Sequence, residues 1–179
     1  DADIYGPSLP LLINTWDKPL LNDEKKMIPP LVHGVKVQSM GFLVERHQPI
    51  LWRGPMAQSS FLHLINETQW GDLDVMFIDL PPGTGDIHLS LAQKIPLKGA
   101  IIVTTPQDLA LIDALKAIKM YETLHVPLMG LIENMSYLVC PACSHTIDIY
   151  GHHQAHATAK EHHIPFLGHI PLHLDLRQA

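Results

Sequence analysis

At 179 residues the chain has the length of one ordinary domain, which buries roughly 70% of the surface its unfolded form exposes. Hydrophobic residues make up 46% and charged residues 17%, a balance that excludes a disordered segment. The net charge is -6 and no run gathers lysines and arginines, so neither nucleic acid nor a membrane surface is expected as a partner, and no apolar run nears the roughly 18 residues of a membrane span.

Residues 1–30 mix prolines with short apolar runs and read as a long loop with at most one helical turn. Residues 34–44 carry Val35, Val37 and Phe42-Leu43-Val44 around a Ser-Met-Gly break, which predicts one or two short strands. From residue 55 to 69, Met56, Phe61, Leu62 and Ile65 recur at helical spacing behind Pro55. Val75-Met76-Phe77-Ile78 is an unbroken apolar run before Asp79 and a Pro-Pro-Gly loop, the pattern of a strand buried on both faces. Residues 100–105 repeat it. A helix over 107–124 follows, with Leu111, Leu115 and Ile118 on one face, and then a strand over 126–133 that ends near Asn134. This alternation predicts an α/β fold with a mostly parallel sheet covered by helices on both faces, and it places ligands at the carboxyl ends of the strands. No internal repeat or linker divides the chain, so one domain is expected over 1–179.

Three segments carry chemistry. Asp79 to Asp86 sets a carboxylate at a strand tip, followed by the side-chain-free amides of Gly83 and Gly85. A nucleotide switch needs that layout, with the carboxylate holding magnesium through water and the amides approaching a terminal phosphate. Residue types alone leave it equally a strand followed by a proline-glycine turn, and Asp86 reads as the cap of the next helix. At the amino terminus, Asp3 within Asp1-Ala2-Asp3 is a second carboxylate that suits positioning of water, although an acidic terminus is more often simply solvated.

Cys140-Pro141-Ala142-Cys143 is the third segment. Two thiolates at this spacing grip one metal atom, but a tetrahedral site wants four ligands and the sequence holds two cysteines in all. A two-fold dimer supplies the missing pair. The open alternatives are a zinc site completed by His145 and by His152 or His153, a redox dithiol, and a reduced core pair. A lone C-x-x-C without a visible secretory signal reads as a reducing, cytoplasmic setting. Residue 1 is an aspartate, so a processed or cut chain stays open. Five of the 13 histidines, His152, His153, His156, His162 and His163, crowd one Ala-rich segment and read as a solvated helix face.

Asp1-Ala2-Asp3-Ile4-Tyr5-Gly6-Pro7-Ser8, Trp52-Arg53-Gly54-Pro55-Met56, Asp79 to Asp86, Thr104-Thr105-Pro106-Gln107-Asp108, Glu133-Asn134-Met135-Ser136-Tyr137 and Cys140-Pro141-Ala142-Cys143 occur in this order. Together they resemble the Mrp/ApbC family of iron-sulfur cluster carriers, which is similar to the MinD-type (SIMIBI) P-loop ATPases. The likeness runs to Phe166-Leu167-Gly168 and Ile170-Pro171-Leu172. It implies a homodimer that hydrolyses ATP with Mg2+ and carries a [4Fe-4S] cluster between subunits for transfer to recipient apoproteins. Residue by residue it implies Asp3 as the first-switch carboxylate and Asp79 as the magnesium-side carboxylate. Gly83 would lie beside the terminal phosphate, Asn134, Pro171 and Leu172 at adenine, and Cys140 and Cys143 on the cluster. The family's glycine-rich phosphate loop precedes Asp-Ala-Asp, and no G-x-x-x-x-G-K-[ST] occurs here. The resemblance therefore implies an incomplete ATPase domain, without its first strand, phosphate loop, first helix and last helix, which by itself binds ATP weakly and does not hydrolyse it. A MinD-like positioning or scaffold ATPase and a zinc-binding interaction domain are the rival readings.

Overall fold

A computed structural model describes residues 1–44, 54–151 and 154–174. The chain divides by its internal contacts into two compact units, Asp1–Leu91 and Ala92–Ala179. Trp52, Arg53, His152 and His153 lie outside the described residues. No described helix is long and apolar enough to cross a membrane.

In the first unit the amino-terminal segment contains one short helix, α1 (Leu9–Leu12), as the prolines imply. A hairpin of β1 (Leu31–Val32) and β2 (Val35–Lys36) follows, with antiparallel pairs Leu31↔Lys36 and Val32↔Val35. The strand expected at Phe42-Leu43-Val44 is instead a 3-10 turn over Met40–Phe42. Two local features bend the backbone there. Ser39 Oγ accepts the Gly41 amide at 3.0 Å, and a Cβ on Gly41 would come within 2.6 Å of the Pro10 ring, so the chain passes α1 at a distance only glycine allows. Helix α2 (Gly54–Asn66) forms as its periodicity predicts, but its buried stripe is Ala57, Phe61 and Leu64; of the other residues expected on it, Met56 is exposed and Leu62 and Ile65 are half-buried. Each such burial contributes about 1.5–3 kcal/mol for the larger side chains.

Val75 to Ile78 does not form a strand: the segment is irregular, and Phe77 is 84% exposed. Apolar content alone does not make a strand, because the backbone groups need a ladder, and no named strand among the described residues pairs with this run. Its far end is tied by the Ala2 amide, which donates to the Asp79 carbonyl at 2.7 Å. Helix α3 (Asp86–Lys94) begins directly after the glycine loop.

The second unit is built on a sheet in the order β3-β4-β6, with β5 added at the end of β4. Strand β3 (Ala100–Thr104) runs parallel to β4 (Leu128–Val139), which runs parallel to β6 (Phe166–Leu172); β5 (Thr146–Ile147) turns back antiparallel on β4. Helix α4 (Asp108–Thr123) inserts Leu111, Ala114, Ile118 and Tyr121, and helix α5 (Gln154–Glu161) inserts Ala155 and Ala159, into one core with Ile102 and Leu131. The architecture is α/β with a mixed, mostly parallel sheet, as the alternation of elements predicts.

Strand β4 is longer than its apolar run. It continues through Asn134-Met135-Ser136-Tyr137, the stretch expected to be loop, and ends beside Cys140. Its ladder with β6 shifts register between Asn134 and Leu138, and Met135 adopts a left-handed φ of 53°. Polar residues at a bulge look like a loop in sequence although the pairing resumes beyond them.

Candidate functional sites

In the first unit a pocket of about 560 Å³ opens between the amino-terminal turn and the start of α3, and its lining includes Asp3, Tyr5, Gly6, Pro81, Pro82, Gly85, Asp86 and His88. Asp3 is held by its own turn, since Oδ1 accepts the amides of Tyr5 and Gly6, each at 3.1 Å. Asp1 supports that turn by accepting the Asp3 amide at 3.1 Å on Oδ1 and the Ser39 hydroxyl at 2.8 Å on Oδ2. The structure thus brings Asp3 and Asp86 into one cavity. Asp79 and Gly83 are not among its lining residues: Asp79 is exposed, and Gly83 has a left-handed φ of 94° with nothing within 4 Å of a Cβ placed on it. An L side chain is strained in that conformation, which accounts for the glycine.

His88, which belongs to none of the sequence motifs, is buried in the first turn of α3 and lines the same pocket. Burial pushes its imidazole below the ordinary histidine range, against the raising effect of hydrogen bonds with the Gly85 and Pro81 backbone. Its Nδ1 is enclosed without a hydrogen-bond partner. The signal available in sequence was its position two residues beyond Gly-Thr-Gly-Asp.

In the second unit Cys140 and Cys143 occupy the tip of the β4-β5 hairpin. Leu138↔Ile147 and Val139↔Thr146 form its stalk; the Cys140 amide donates to the His145 carbonyl at 2.9 Å, and the Ser144 amide donates to the Cys140 carbonyl at 2.8 Å. Ser144 closes the turn with a left-handed φ of 58°. Amides of Ala142 and Cys143 point at the Cys140 sulfur, and together with the Cys143 thiol they pull the Cys140 thiol below its ordinary range. Cys143 is exposed and Cys140 half-buried. Neither sits in apolar core, so the plain core pair is set aside.

Asn134 lies midway along β4, whereas Pro171 and Leu172 are the last residues of β6; in the ladder between the two strands Asn134 pairs with Ile170 and Leu138 with Leu172. The Asn134 side chain accepts the Met135 amide at 2.9 Å. Next to Asn134 in β4 lies Glu133, fully buried although its residue type predicts exposure. Its carboxylate accepts the Ala155 amide at the start of α5 at 3.0 Å, His169 Nδ1 at 3.1 Å and the Ser136 hydroxyl. Ser136 also meets His169 at Nδ1, so both contacts use one ring nitrogen and the trio is not a nucleophile-activating relay. Among the described residues no group of three or more His, Cys, Asp or Glu side chains is placed to hold a metal ion. His156 packs edge-on against Phe166, with ring centroids 5.0 Å apart, rather than joining a ligand cluster.

A family model described as "ParA: NUBPL iron-transfer P-loop NTPase" matches residues 1–179. The chain belongs to this family. Among NUBPL-family relatives, the "Iron-sulfur cluster transfer protein NUBPL" of Dictyostelium discoideum is 48% identical over 180 residues, covering 99% of this chain and 56% of the relative. The "Iron-sulfur cluster carrier protein" of Salmonella typhimurium is 48% identical, covering 99% of this chain and 48% of the relative. The chain therefore spans about half the length of the curated relatives it matches. The fold is shared with the nucleotide-binding protein of Archaeoglobus fulgidus, solved in complex with ADP and with cobalt found in it. That structure has a TM-score of 0.83 and 35% identity, and the match covers 99% of this chain and 70% of that one. The NUBPL assignment agrees with the Mrp/ApbC resemblance carried by the six motifs.

Proposed function

We propose that this chain is the cluster-bearing part of an iron-sulfur cluster carrier, in which Cys140 and Cys143 hold a [4Fe-4S] cargo cluster jointly with the same pair of a second copy. The observation that carries this reading is the hairpin tip: two accessible sulfurs on a backbone already closed by its own hydrogen bonds, with no further donor group assembled among the described residues. Two sulfurs per chain match half of a four-thiolate site, and a two-fold axis makes the whole. The exposure of Cys143 supports transfer of the cluster to recipient apoproteins.

In this reading Asp3 orients water and Asp79 holds Mg2+ in an ATP hydrolase, with Gly83 at the terminal phosphate and Asn134, Pro171 and Leu172 at adenine. The turn that fixes Asp3 at the pocket supports the first of these roles. The phosphate loop motif is absent from these residues, so this chain by itself binds ATP weakly and does not turn it over. A cytoplasmic location fits free thiols.

Anaerobic reconstitution with iron and sulfide tests the proposal. A brown species with about two irons per chain, lost in Cys140→Ala or Cys143→Ala, is the expected result, because four irons shared by two chains give that ratio. Colourless protein holding zinc would replace this reading with an interaction domain. ATP-dependent association with membrane or filament and no metal would replace it with a positioning ATPase.

A further inference from the structure

The hairpin tip carries two free thiols on a turn closed by backbone hydrogen bonds, and among the described residues no third histidine, cysteine or carboxylate joins them. Iron in a cluster and Zn2+ both want four ligands, so for them one chain is half a site. A soft ion content with two ligands finds a whole site in one chain. Copper(I) is that ion: thiolates select it, and it accepts linear two-coordination.

We infer that a single copy of this chain binds one copper(I) ion between Cys140 and Cys143, without dimerising, and that copper so bound occludes the sulfurs from any four-ligand metal centre. On binding, each S–H bond breaks, the two protons pass to solvent, and two sulfur-copper bonds form with no change of oxidation state. The resulting dithiolate-copper(I) unit carries one net negative charge. The turn needs no folding to receive the ion, since the Cys140-His145 and Ser144-Cys140 backbone bonds already close it. This inference shares the hairpin with the cluster proposal but requires neither iron nor a second chain.

The test is anaerobic titration of the full chain with copper(I) against a colorimetric copper(I) chelator, with native mass spectrometry on the product. The expected result is one copper per chain on a monomer, abolished in Cys140→Ser and in Cys143→Ser. Circular dichroism should show both variants folded, as substitutions on a tip outside the core allow. Pre-loading with one equivalent of copper should reduce iron uptake in reconstitution to near zero. The inference is overturned if copper is surrendered to the chelator, if the cysteine variants keep it on the histidines, or if it appears as one ion per two chains. Copper binding with failed cluster assembly would sink the cluster reading alone; cluster assembly with no copper binding would sink this inference alone.

Discussion

The β4-β5 hairpin and the Asp79–Asp86 loop both carry chemical groups on a turn, but they are held differently. The hairpin is closed by strand pairs on its stalk and by backbone bonds across its tip, so its sulfurs are set before any ion arrives. In the glycine loop a Cβ placed on Gly83 would meet nothing within 4 Å, Asp79 is exposed, and the Ala2-Asp79 backbone bond ties down its entry. A donor pair on a self-contained turn is complete as half a metal site. A loop without such closure depends on partners elsewhere in the chain.

That contrast breaks most visibly in reconstitution. Cys140→Ala or Cys143→Ala should abolish iron uptake, whereas Asp79→Asn and Gly83→Ala should leave it unchanged; iron loss in the loop variants would mean the hairpin is not self-contained. The next largest effect concerns the support beneath the hairpin strand. Glu133→Ala leaves the Ala155 amide and His169 without their buried acceptor and should cost on the order of 3 kcal/mol in urea unfolding. The folded fraction should still take up iron at the full ratio. In the first unit Gly41→Ala drives a Cβ into the rigid Pro10 ring and should destabilise by roughly 1–3 kcal/mol.

The smallest effect is a pH dependence at the pocket. The folded state holds His88 below the ordinary value of 6.5, so below that pH the unfolded chain binds the proton more readily. The stability associated with neutral His88 is therefore complete above pH 6.5 and declines as pH falls through that value toward the depressed one. His88→Gln should flatten this slope in acid unfolding curves. An unchanged slope would show that another group sets it.

Much of this was legible in residue order, and the exceptions share a cause. Val75 to Ile78 and Ala100 to Thr104 are equivalent as apolar runs, yet the second alone is a strand, because it alone has a partner across a helical crossover. Composition reports what a segment would bury and says nothing of whether a ladder is there to receive it. The extension of β4 through Ser136 was hidden by a bulge. Glu133 and His88 were overlooked because polar residues carry no periodic signal when local partners bury them. Cys140 and Cys143, by contrast, share one hairpin tip as their spacing predicts, since turn length is a local property.

The most direct measurement of the shared-site claim is the molar mass of the reconstituted protein by light scattering, read together with its iron content. The account predicts that iron-bearing protein elutes at twice the mass of one chain and that iron-free protein and both cysteine variants elute at the mass of one. A monomer that retains its full complement of iron would contradict it.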